Sequence, residues 1–374
     1  MDEYQRLAVA EFFDPLPNLS QTSCHQFVLH HIAPVLFPNA TGKVDVQPSP
    51  FQGSMSYTAI LHAHSSIAVQ FRSEKQDLFG VTEASRIHGP IVPLVTYQGM
   101  YEGLFVYTSP FAEGTPYISV LMSCQDFKMP LQTKIATILD LADLVTRGAR
   151  ANTTTSDTTI SDLTSTLDKI RDKVDNYNFR NTTLRNSISA CINKLLPQLP
   201  NLAVLPVTLT HQDLAPFNYL INESTGRVQA VLDWDGAEYL PVGSNFFFLD
   251  SLFGFMTPSG WKDTEDRQEL ESTFYNRALA NLASQGFVEI TKEQLESQKA
   301  IGMLLYGVER LLKFKDDRAE RYLDGYLRGL SFLNIDGFMS SYFRFADTSQ
   351  ASSRLMGHSH GFHRNVIGSR SVPN

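Results

Sequence analysis

The chain has 374 residues, of which 43% are hydrophobic, and carries 31 Lys and Arg against 39 Asp and Glu, a formal net charge of −8 at pH 7. A chain of this length and apolar content can bury a large core in two or three domains, which excludes an intrinsically disordered protein. The negative net charge argues against a nucleic-acid-binding protein, because such proteins need a basic face to displace counterions.

Cysteine usage and hydropathy bear on the compartment. The three cysteines form no C-x-x-C pair, which predicts reduced thiols in a cytoplasmic setting. The first 20 residues lack the basic and apolar regions of a secretory signal peptide. The most apolar stretch, residues 245–256, is far shorter than the roughly 20 apolar residues that span a bilayer. We therefore expect a cytoplasmic protein without nucleic-acid or membrane partners, and the oligomeric state stays open.

The amino-terminal third changes pattern near residue 45. Residues 1–45 have apolar side chains such as Phe27 and Ile32 on one helical stripe, which predicts a helical N-terminal extension. In residues 46–110, short apolar runs are separated by Gly, Ser and Pro, as expected for a small antiparallel sheet. One helix is predicted within this sheet region, over residues 81–88.

The rest of the chain is predicted to be mostly helical, over residues 111–345. Apolar residues at a spacing of three to four between 131 and 145 indicate a buried amphipathic helix. The Thr- and Ser-rich stretch 151–166 predicts a loop or surface insertion. Residues 207–234 are typical of strands, and the polar tail 346–374 is predicted to be disordered. The fold class is therefore α+β, with a small antiparallel β lobe containing one helix and a larger, mostly helical lobe.

The segment between residues 209 and 235 carries the most chemical information. His211, Asp213 and Asn218 follow an apolar strand, and a second strand, a turn and a third strand then lead to Asp233. A hairpin of this length returns its far end beside its start, so Asp213, Asn218 and Asp233 can converge. Two carboxylates and an amide suit a hard cation such as Mg²⁺ before Zn²⁺. An acid near that metal can orient a hydroxyl group or accept its proton, as phosphoryl transfer requires.

The pattern H-x-D-x-x-x-x-N, followed by a strand, a turn and D-W-D, resembles the catalytic half of the aminoglycoside phosphotransferase and choline kinase family. Protein kinases share the first motif but continue with D-F-G and A-P-E. This chain instead has DWD at 233–235 and no A-P-E. The resemblance covers about residues 50–335 and implies a two-lobed protein-kinase-like fold. It also implies a kinase that uses ATP and Mg²⁺ to phosphorylate a hydroxyl group of a small molecule.

The resemblance assigns roles to the residues of this segment. Asp213 would be the catalytic base or the residue that orients the acceptor hydroxyl, and His211 would brace its loop. Asn218 and Asp233 would be metal ligands. Asp235 would be a second acidic group near the metal.

In the β lobe the resemblance implies nucleotide-binding positions. Gly53 and Ser54 lie in the place of the nucleotide-covering loop, although an ordinary hairpin turn is the alternative there because only one glycine is present. Gln70 occupies the place of the phosphate-clamping Lys of the family. Arg72 lies two residues on, hence on the same strand face, and could reach the phosphates in its place. The alternative for Arg72 is an exposed charge at the end of a strand.

Two further positions complete the predicted nucleotide site. Glu83, on the short helix, would be the ion-pair partner of Arg72, with a solvated helix charge as the alternative. Residues 107–114 match the connector between the lobes of the family, where the main chain would bind adenine. This match points to Ser109 and Phe111.

Two functional hypotheses remain open. The first is a small-molecule kinase whose substrate could be cationic or amine-bearing, because aromatic residues and acids surround the motif; core packing is the alternative role of those aromatic residues. The second is the same fold without phosphoryl transfer, as a pseudokinase-like binding protein or a repurposed acid–base enzyme, because Gln70 has no charge. The strand at 69–72 and the helix end at 88–89 are similar to fungal members of the family, which implies a setting in secondary metabolism or detoxification.

Overall fold

The computed structural model describes residues 3–52, 55–124, 128–152, 156–179, 182–257, 260–308 and Glu320. The chain divides into two compact units. The first, here called the sheet unit, contains Met1–Asp77 and Pro93–Phe111. The second, the helical unit, contains Leu78–Val92 and Ala112–Phe345. The predicted tail at 346–374 lies outside the described residues.

The sheet unit contains an antiparallel sheet of five strands in the order β1-β2-β3-β5-β4. The strands are β1 (Asp45–Pro48), β2 (Ser56–His62), β3 (Ser66–Arg72), β4 (Thr96–Tyr101) and β5 (Leu104–Pro110). Three helices precede them: α1 (Glu3–Phe13), α2 (Gln21–Phe27) and α3 (Ala33–Leu36), the last two joined by a π-helical turn at Val28–Ile32. The predicted antiparallel sheet is confirmed, and the region predicted as a helical N-terminal extension contains α1, α2 and α3.

The amino-terminal helices cover one face of the sheet. Side chains of α1, α2 and α3 form a common core with alternate residues of the strands, among them Tyr57, Val69 and Phe71. Because successive side chains of a strand point to opposite faces, Gln70 and Arg72 both lie on the other face of the sheet. The helices are therefore the second layer of this unit.

The helical unit begins with α4 (Phe79–His88), which the sequence predicted over 81–88. Next along the chain are β6 (Thr115–Pro116), α5 (Tyr117–Ser123), α6 (Leu131–Thr146), α7 (Ser156–Asn176), α8 (Thr182–Leu195) and α9 (Leu199–Leu202). The catalytic segment supplies β7 (Val207–Thr210), β8 (Tyr219–Ile221), β9 (Val228–Val231) and β10 (Glu238–Pro241). The remaining elements are α10 (Asp250–Phe253), β11 (Gly254–Thr257), β12 (Gly260–Asp263), α11 (Arg267–Ser284) and α12 (Lys292–Met303).

The prediction of a loop over 151–166 is wrong, because α7 begins at Ser156. Its apolar side chains recur at helical spacing, and Leu167, Ile170 and Val174 are fully or almost fully buried. Each Ser or Thr in a helix costs only a few tenths of a kcal/mol. Burying one Leu or Ile contributes about 1.5–3 kcal/mol. Packing of the later turns therefore outweighs the weak helix propensity of the first.

Two further features concern the end of the described chain. The predicted capping box is confirmed at α12, where the Thr291 hydroxyl accepts from the Gln294 N–H at 3.2 Å. The hairpin of β11 and β12 was not predicted.

No helix among the described residues is both long enough and apolar enough to cross a membrane.

The hairpin of β8 and β9 is fastened to α6 at its turn. The Thr137 hydroxyl donates to the Gly226 carbonyl at 2.7 Å, and the Val228 N–H donates to the Asp140 carboxylate at 2.9 Å. Gly226 has a positive φ of 69°, and an added Cβ would lie 2.2 Å from the Thr133 carbonyl oxygen. The turn can therefore approach α6 this closely only with glycine at position 226.

We expect Gly226→Ala to lower the free energy of unfolding by at least about 2 kcal/mol, because strain at φ and a clash with backbone add together. Urea denaturation measures this change. Gly42→Ala is the matched control, since its added methyl group would meet no atom within 4 Å. That control should stay within about 0.5 kcal/mol of the wild type. Equal stability of Gly226→Ala and the wild type would contradict the close approach.

Candidate active site

The predicted strand–loop–hairpin arrangement is present in the helical unit. β7 ends at Thr210, directly before His211, and pairs with β10. β8 and β9 are antiparallel, so the hairpin returns the chain to the loop from which it started. Backbone strands on both sides thus fix the two ends of the segment that holds the motif.

A closed set of hydrogen bonds ties the motif together. The Asn218 side-chain Nδ2 donates to the Asp213 carbonyl at 2.7 Å, and the Leu232 N–H donates to the Asn218 carbonyl at 2.7 Å. His211 Nε2 donates to the Leu232 carbonyl at 2.7 Å, and the Asp213 N–H donates to His211 Nδ1 at 3.0 Å. The structure therefore brings Asp213 and Asn218 together with the residue that precedes Asp233.

His211 has both ring nitrogens engaged by the main chain. Since a carbonyl can only accept, Nε2 carries the hydrogen and Nδ1 is the acceptor. The ring is 1% exposed, and burial lowers its pKa, against the opposing effects of the Leu232 carbonyl and the charges of Asp213 and Asp233. A neutral imidazole held in this way orients the loop and has no nitrogen to offer a substrate.

Asp233, two residues after the end of β9, has an unusual backbone conformation. Its φ is +60°, in the left-handed region that side chains other than glycine rarely adopt. The next residue, Trp234, is 2% exposed, and its Nε1–H donates to the Val231 carbonyl at 3.1 Å. A non-glycine residue persists in this region only where its surroundings hold it, and such residues are frequent at functional sites.

The donor set can be compared with the needs of a divalent cation. Among the described residues, no three His, Cys, Asp or Glu side chains are grouped so as to hold a metal. Because the Nδ2 of Asn218 donates to Asp213, its Oδ1 is the atom that this amide can offer to a cation. Mg²⁺ in nucleotide sites is commonly held by one or two carboxylates together with phosphate oxygens and water. Asn218 and Asp233, with Asp235 two residues on, fit that kind of site and do not form an all-protein cage.

A second histidine, His88, lies beside residues 233–239, here called the acidic segment. The His88 ring stacks on Trp234 with centroids 5.2 Å apart, and it is 5% exposed. Neither ring nitrogen has a hydrogen-bond partner among the described residues. Burial, with smaller effects from Arg147 and His211, lowers the pKa of His88 from 6.5 to about 4.

This lowered pKa predicts a loss of stability in acid. Below pH 6.5 the unfolded chain binds a proton at His88 that the folded chain takes up only near pH 4. Stability from this residue is therefore complete above pH 6.5 and falls by up to about 3 kcal/mol between the two values. His88→Phe keeps the ring stack and removes the titration, so its free energy of unfolding should fall less. Urea denaturation at about pH 8 and about pH 5 checks this; the same fall in both proteins would contradict it.

In the sheet unit, Gln70 is held across the sheet. Its Nε2 donates to the Ser56 Oγ at 3.0 Å, and β5 places Tyr107 directly opposite it. Ser56 is also the β2 partner of Arg72 in the strand register. Gln70 and Arg72 thus share one polar sheet face. Gly53 and Ser54 lie outside the described residues.

Some main-chain groups of the predicted adenine-binding connector, residues 107–114, are already hydrogen-bonded within the sheet. The Phe111 N–H donates to the Ser66 carbonyl at 3.0 Å. Hydrogen-bonded pairs alternate along an antiparallel ladder, so the polar backbone groups of Ser109 also face β3. The carbonyl of Pro110 is the group that points away from β3 at this place. Pro110 lies within the predicted connector 107–114, and as a proline it has no N–H to donate.

Glu83 has two partners within the helical unit. Its carboxylate accepts from the Arg86 Nη2 at 2.9 Å and from the Tyr239 hydroxyl at 3.0 Å. Arg86 and then Tyr239 are the main causes that lower the pKa of Glu83. The sequence motif offered no signal for Tyr239, which is 156 residues away in the chain.

Comparisons with known proteins agree with this architecture. Residues 136–283, which include the whole motif, match the model of a phosphotransferase enzyme family, APH. No curated protein sequence matches the chain.

Three solved structures show the fold. A candidate aminoglycoside phosphotransferase from Ralstonia eutropha JMP134 is similar over 84% of this chain and 98% of its own, with a TM-score of 0.55 and 12% identity. A choline kinase from Cryptosporidium parvum Iowa II is similar over 83% and 96%, with a TM-score of 0.52 and 12% identity. A glucosamine kinase solved with glucosamine, ADP and inorganic phosphate is similar over 84% and 83%, with a TM-score of 0.51 and 12% identity. The predicted kinase-like α+β fold and the resemblance to aminoglycoside phosphotransferases and choline kinases are confirmed.

Proposed function

We propose that this protein is a kinase that transfers the γ-phosphoryl group of ATP to a hydroxyl group of a small molecule, with Mg²⁺. The observation that carries the proposal is the closed set of hydrogen bonds among His211, Asp213, Asn218 and Leu232. It joins an acid in a loop to an amide and to the start of the DWD segment. The match of residues 136–283 to a phosphotransferase family model supports the same activity.

In this proposal the side chains of the protein position the acceptor hydroxyl and provide the negative charge that binds Mg²⁺. A carboxylate oxygen of Asp213 accepts a hydrogen bond from the acceptor hydroxyl, which aims it and takes up its proton as the phosphoryl group transfers. His211 keeps the Asp213 loop in place. Asn218 and Asp233 would hold Mg²⁺, with Asp235 as a further oxygen donor, and the metal supplies neutralisation of phosphate charge when bound.

The sheet unit would contribute contacts to the nucleotide. Gln70 and Arg72 share one face of β3 and are proposed to contact phosphate oxygens, Gln70 as a neutral donor and Arg72 as a cation. Gly53 and Ser54 are proposed to cover the phosphates. For the base, the main chain at Ser109 and Phe111 is proposed to bind adenine, and the carbonyl of Pro110, which points away from β3, lies between them.

The acceptor is proposed to be an amine-bearing or cationic small molecule. The three similar structures carry names that refer to choline, glucosamine and aminoglycosides, which share a cationic nitrogen. The acids at 213, 233 and 235 favour such a charge nearby. The cytoplasmic location and the setting in secondary metabolism also stay predictions.

A thermal-shift titration followed by a phosphorylation screen tests the proposal. ATP with MgCl₂ should raise the melting temperature by mass action, equivalent to about 2.7 kcal/mol at a hundredfold excess over Kd. ATP with a metal chelator is the control and should stabilise less. A metabolite mixture incubated with ATP and enzyme should then show one compound that gains the mass of a phosphate. Stabilisation without any phosphorylated product would favour the binding-protein hypothesis, and no stabilisation at millimolar ATP would contradict both.

A further inference from the structure

Helix α4 lies directly against the acidic segment that follows β9. A Cβ added to Gly80 would lie 2.2 Å from the Trp234 carbonyl oxygen and 3.0 Å from the Ala237 Cβ. The helix backbone therefore touches the backbone of the segment between Asp233 and Tyr239. Only glycine permits this approach at the first turn of the helix.

Two more contacts continue along the same side of α4. At the second turn, Glu83 accepts a hydrogen bond from the Tyr239 hydroxyl at 3.0 Å. At the last turn, the His88 ring stacks on Trp234. Gly80, Glu83 and His88 are three and five residues apart, so one broad face of the helix meets the segment at both its ends.

The charge of Glu83 is already balanced within this unit. Arg86 donates to the carboxylate through Nε at 3.3 Å and through Nη2 at 2.9 Å. The Arg150 guanidinium lies 3.5 Å from the centre of the Tyr239 ring, and its charge also lowers the pKa of Glu83. Two arginines thus balance the charge of one carboxylate, and Tyr239 is the residue after Asp235 to which this carboxylate is hydrogen-bonded.

We propose that α4 positions the acidic segment, with Gly80 and Glu83 as positioning residues, and that Glu83 acts as the hydrogen-bond acceptor of Tyr239. This role differs from the one that the sequence had suggested, in which Glu83 is the ion-pair partner of Arg72. The inference rests on the proposed function, because the position of Asp233 and Asp235 matters for Mg²⁺. The left-handed φ of Asp233 is a conformation that surrounding contacts must hold, and α4 contacts the residues directly after it.

The test uses Trp234 as a probe of the segment. The chain has two tryptophans, so Trp261→Phe leaves Trp234 as the only source of tryptophan fluorescence. In this parent, MgCl₂ titrated in the presence of ADP should change the emission with a saturable curve. The Mg²⁺ concentration at half-saturation is the measured quantity, and circular dichroism confirms that each variant is folded.

Variants at Glu83 separate the two roles of its side chain. Glu83→Gln keeps an oxygen that accepts from Tyr239 and removes the charge, so half-saturation should stay within about twofold of the parent. Glu83→Ala and Tyr239→Phe both remove the hydrogen bond, so each should raise the Mg²⁺ concentration at half-saturation about fivefold or more. Gly80→Ala should raise the Mg²⁺ concentration at half-saturation at least about tenfold, because the clash moves the backbone beside Asp233. Glu74→Ala is the control, since it removes the same charge from an exposed residue outside α4, and half-saturation should stay within about twofold of the parent.

The outcomes distinguish the inference from the function on which it rests. Rescue by Glu83→Gln, with losses in Glu83→Ala and Tyr239→Phe, supports the positioning role. Equal losses in Glu83→Gln and Glu83→Ala, with no effect of Tyr239→Phe, would overturn it in favour of an ion pair. A parent that shows no response to Mg²⁺ would overturn the metal assignment of the proposed function, and this inference with it.

Discussion

Replacing Asp213 by asparagine is expected to lower the rate of phosphoryl transfer by about 10³-fold, the range found when a proton-accepting side chain is removed. Asparagine has the same shape and can still meet a hydroxyl group, but it cannot take up the proton. The Asp213 backbone groups, which bond to His211 and Asn218, are unchanged by the substitution. Nucleotide affinity should therefore stay within about threefold of the wild type.

Single-turnover kinetics with the identified acceptor, together with a thermal-shift titration of ATP and MgCl₂, measures both quantities. Gln212→Met is the matched control, because Gln212 is the neighbour in the same loop and bonds to Glu238 on β10. Its rate should stay within about tenfold of the wild type. Full activity of Asp213→Asn would exclude a catalytic role for Asp213.

Asp233→Asn is expected to remove most of the response of the enzyme to Mg²⁺. The carboxylate is replaced by a neutral amide, so the charge offered to a divalent cation is lost while the volume is kept. Asparagine also tolerates a left-handed φ well, so the conformation at +60° should survive. We expect turnover to fall by about 10²-fold or more at millimolar Mg²⁺, since metal-held charge stabilisation contributes several kcal/mol.

Initial rates across a range of MgCl₂ concentrations provide the measurement. The control is Asp168→Asn, which changes the net charge equally at an exposed residue of α7. That variant should follow the wild-type curve. If Asp233→Asn keeps the wild-type dependence on Mg²⁺, Asp233 is not a ligand of the metal.

Local patterns were enough to predict the centre of the candidate site. The spacing of His211, Asp213 and Asn218 and the length of the hairpin to Asp233 determine which ends meet, because a tight turn leaves the chain few ways to return. The hydrogen bonds from Asn218 to Asp213 and from Leu232 to Asn218 agree with that argument. A small antiparallel sheet was predictable for a similar reason, since its strands are short and are separated by turn residues; its number of strands, five, was not predicted.

Contacts over long sequence distances were not predictable from the same patterns. Glu83 was recognised, but its bond to Tyr239 joins two residues that share no local pattern. The beginning of α7 was missed because its polar first turns depend on burial of Leu167 and Ile170 further along the helix. At the connector, the direction of the Phe111 N–H depends on the register of β5 against β3, which the sequence does not state.

The amino-terminal helices also have a consequence for how this chain can change. Phe27 lies with its ring centre 6.1 Å from that of Phe71, and Phe13 lies 5.1 Å from Tyr57, so residues before position 45 and strands after it share one interior. A larger or smaller side chain on either side has to be matched on the other. The helices before residue 45 and the sheet therefore share one packed core, and a chimaera joined near residue 45 would bring together side chains that are not matched in shape.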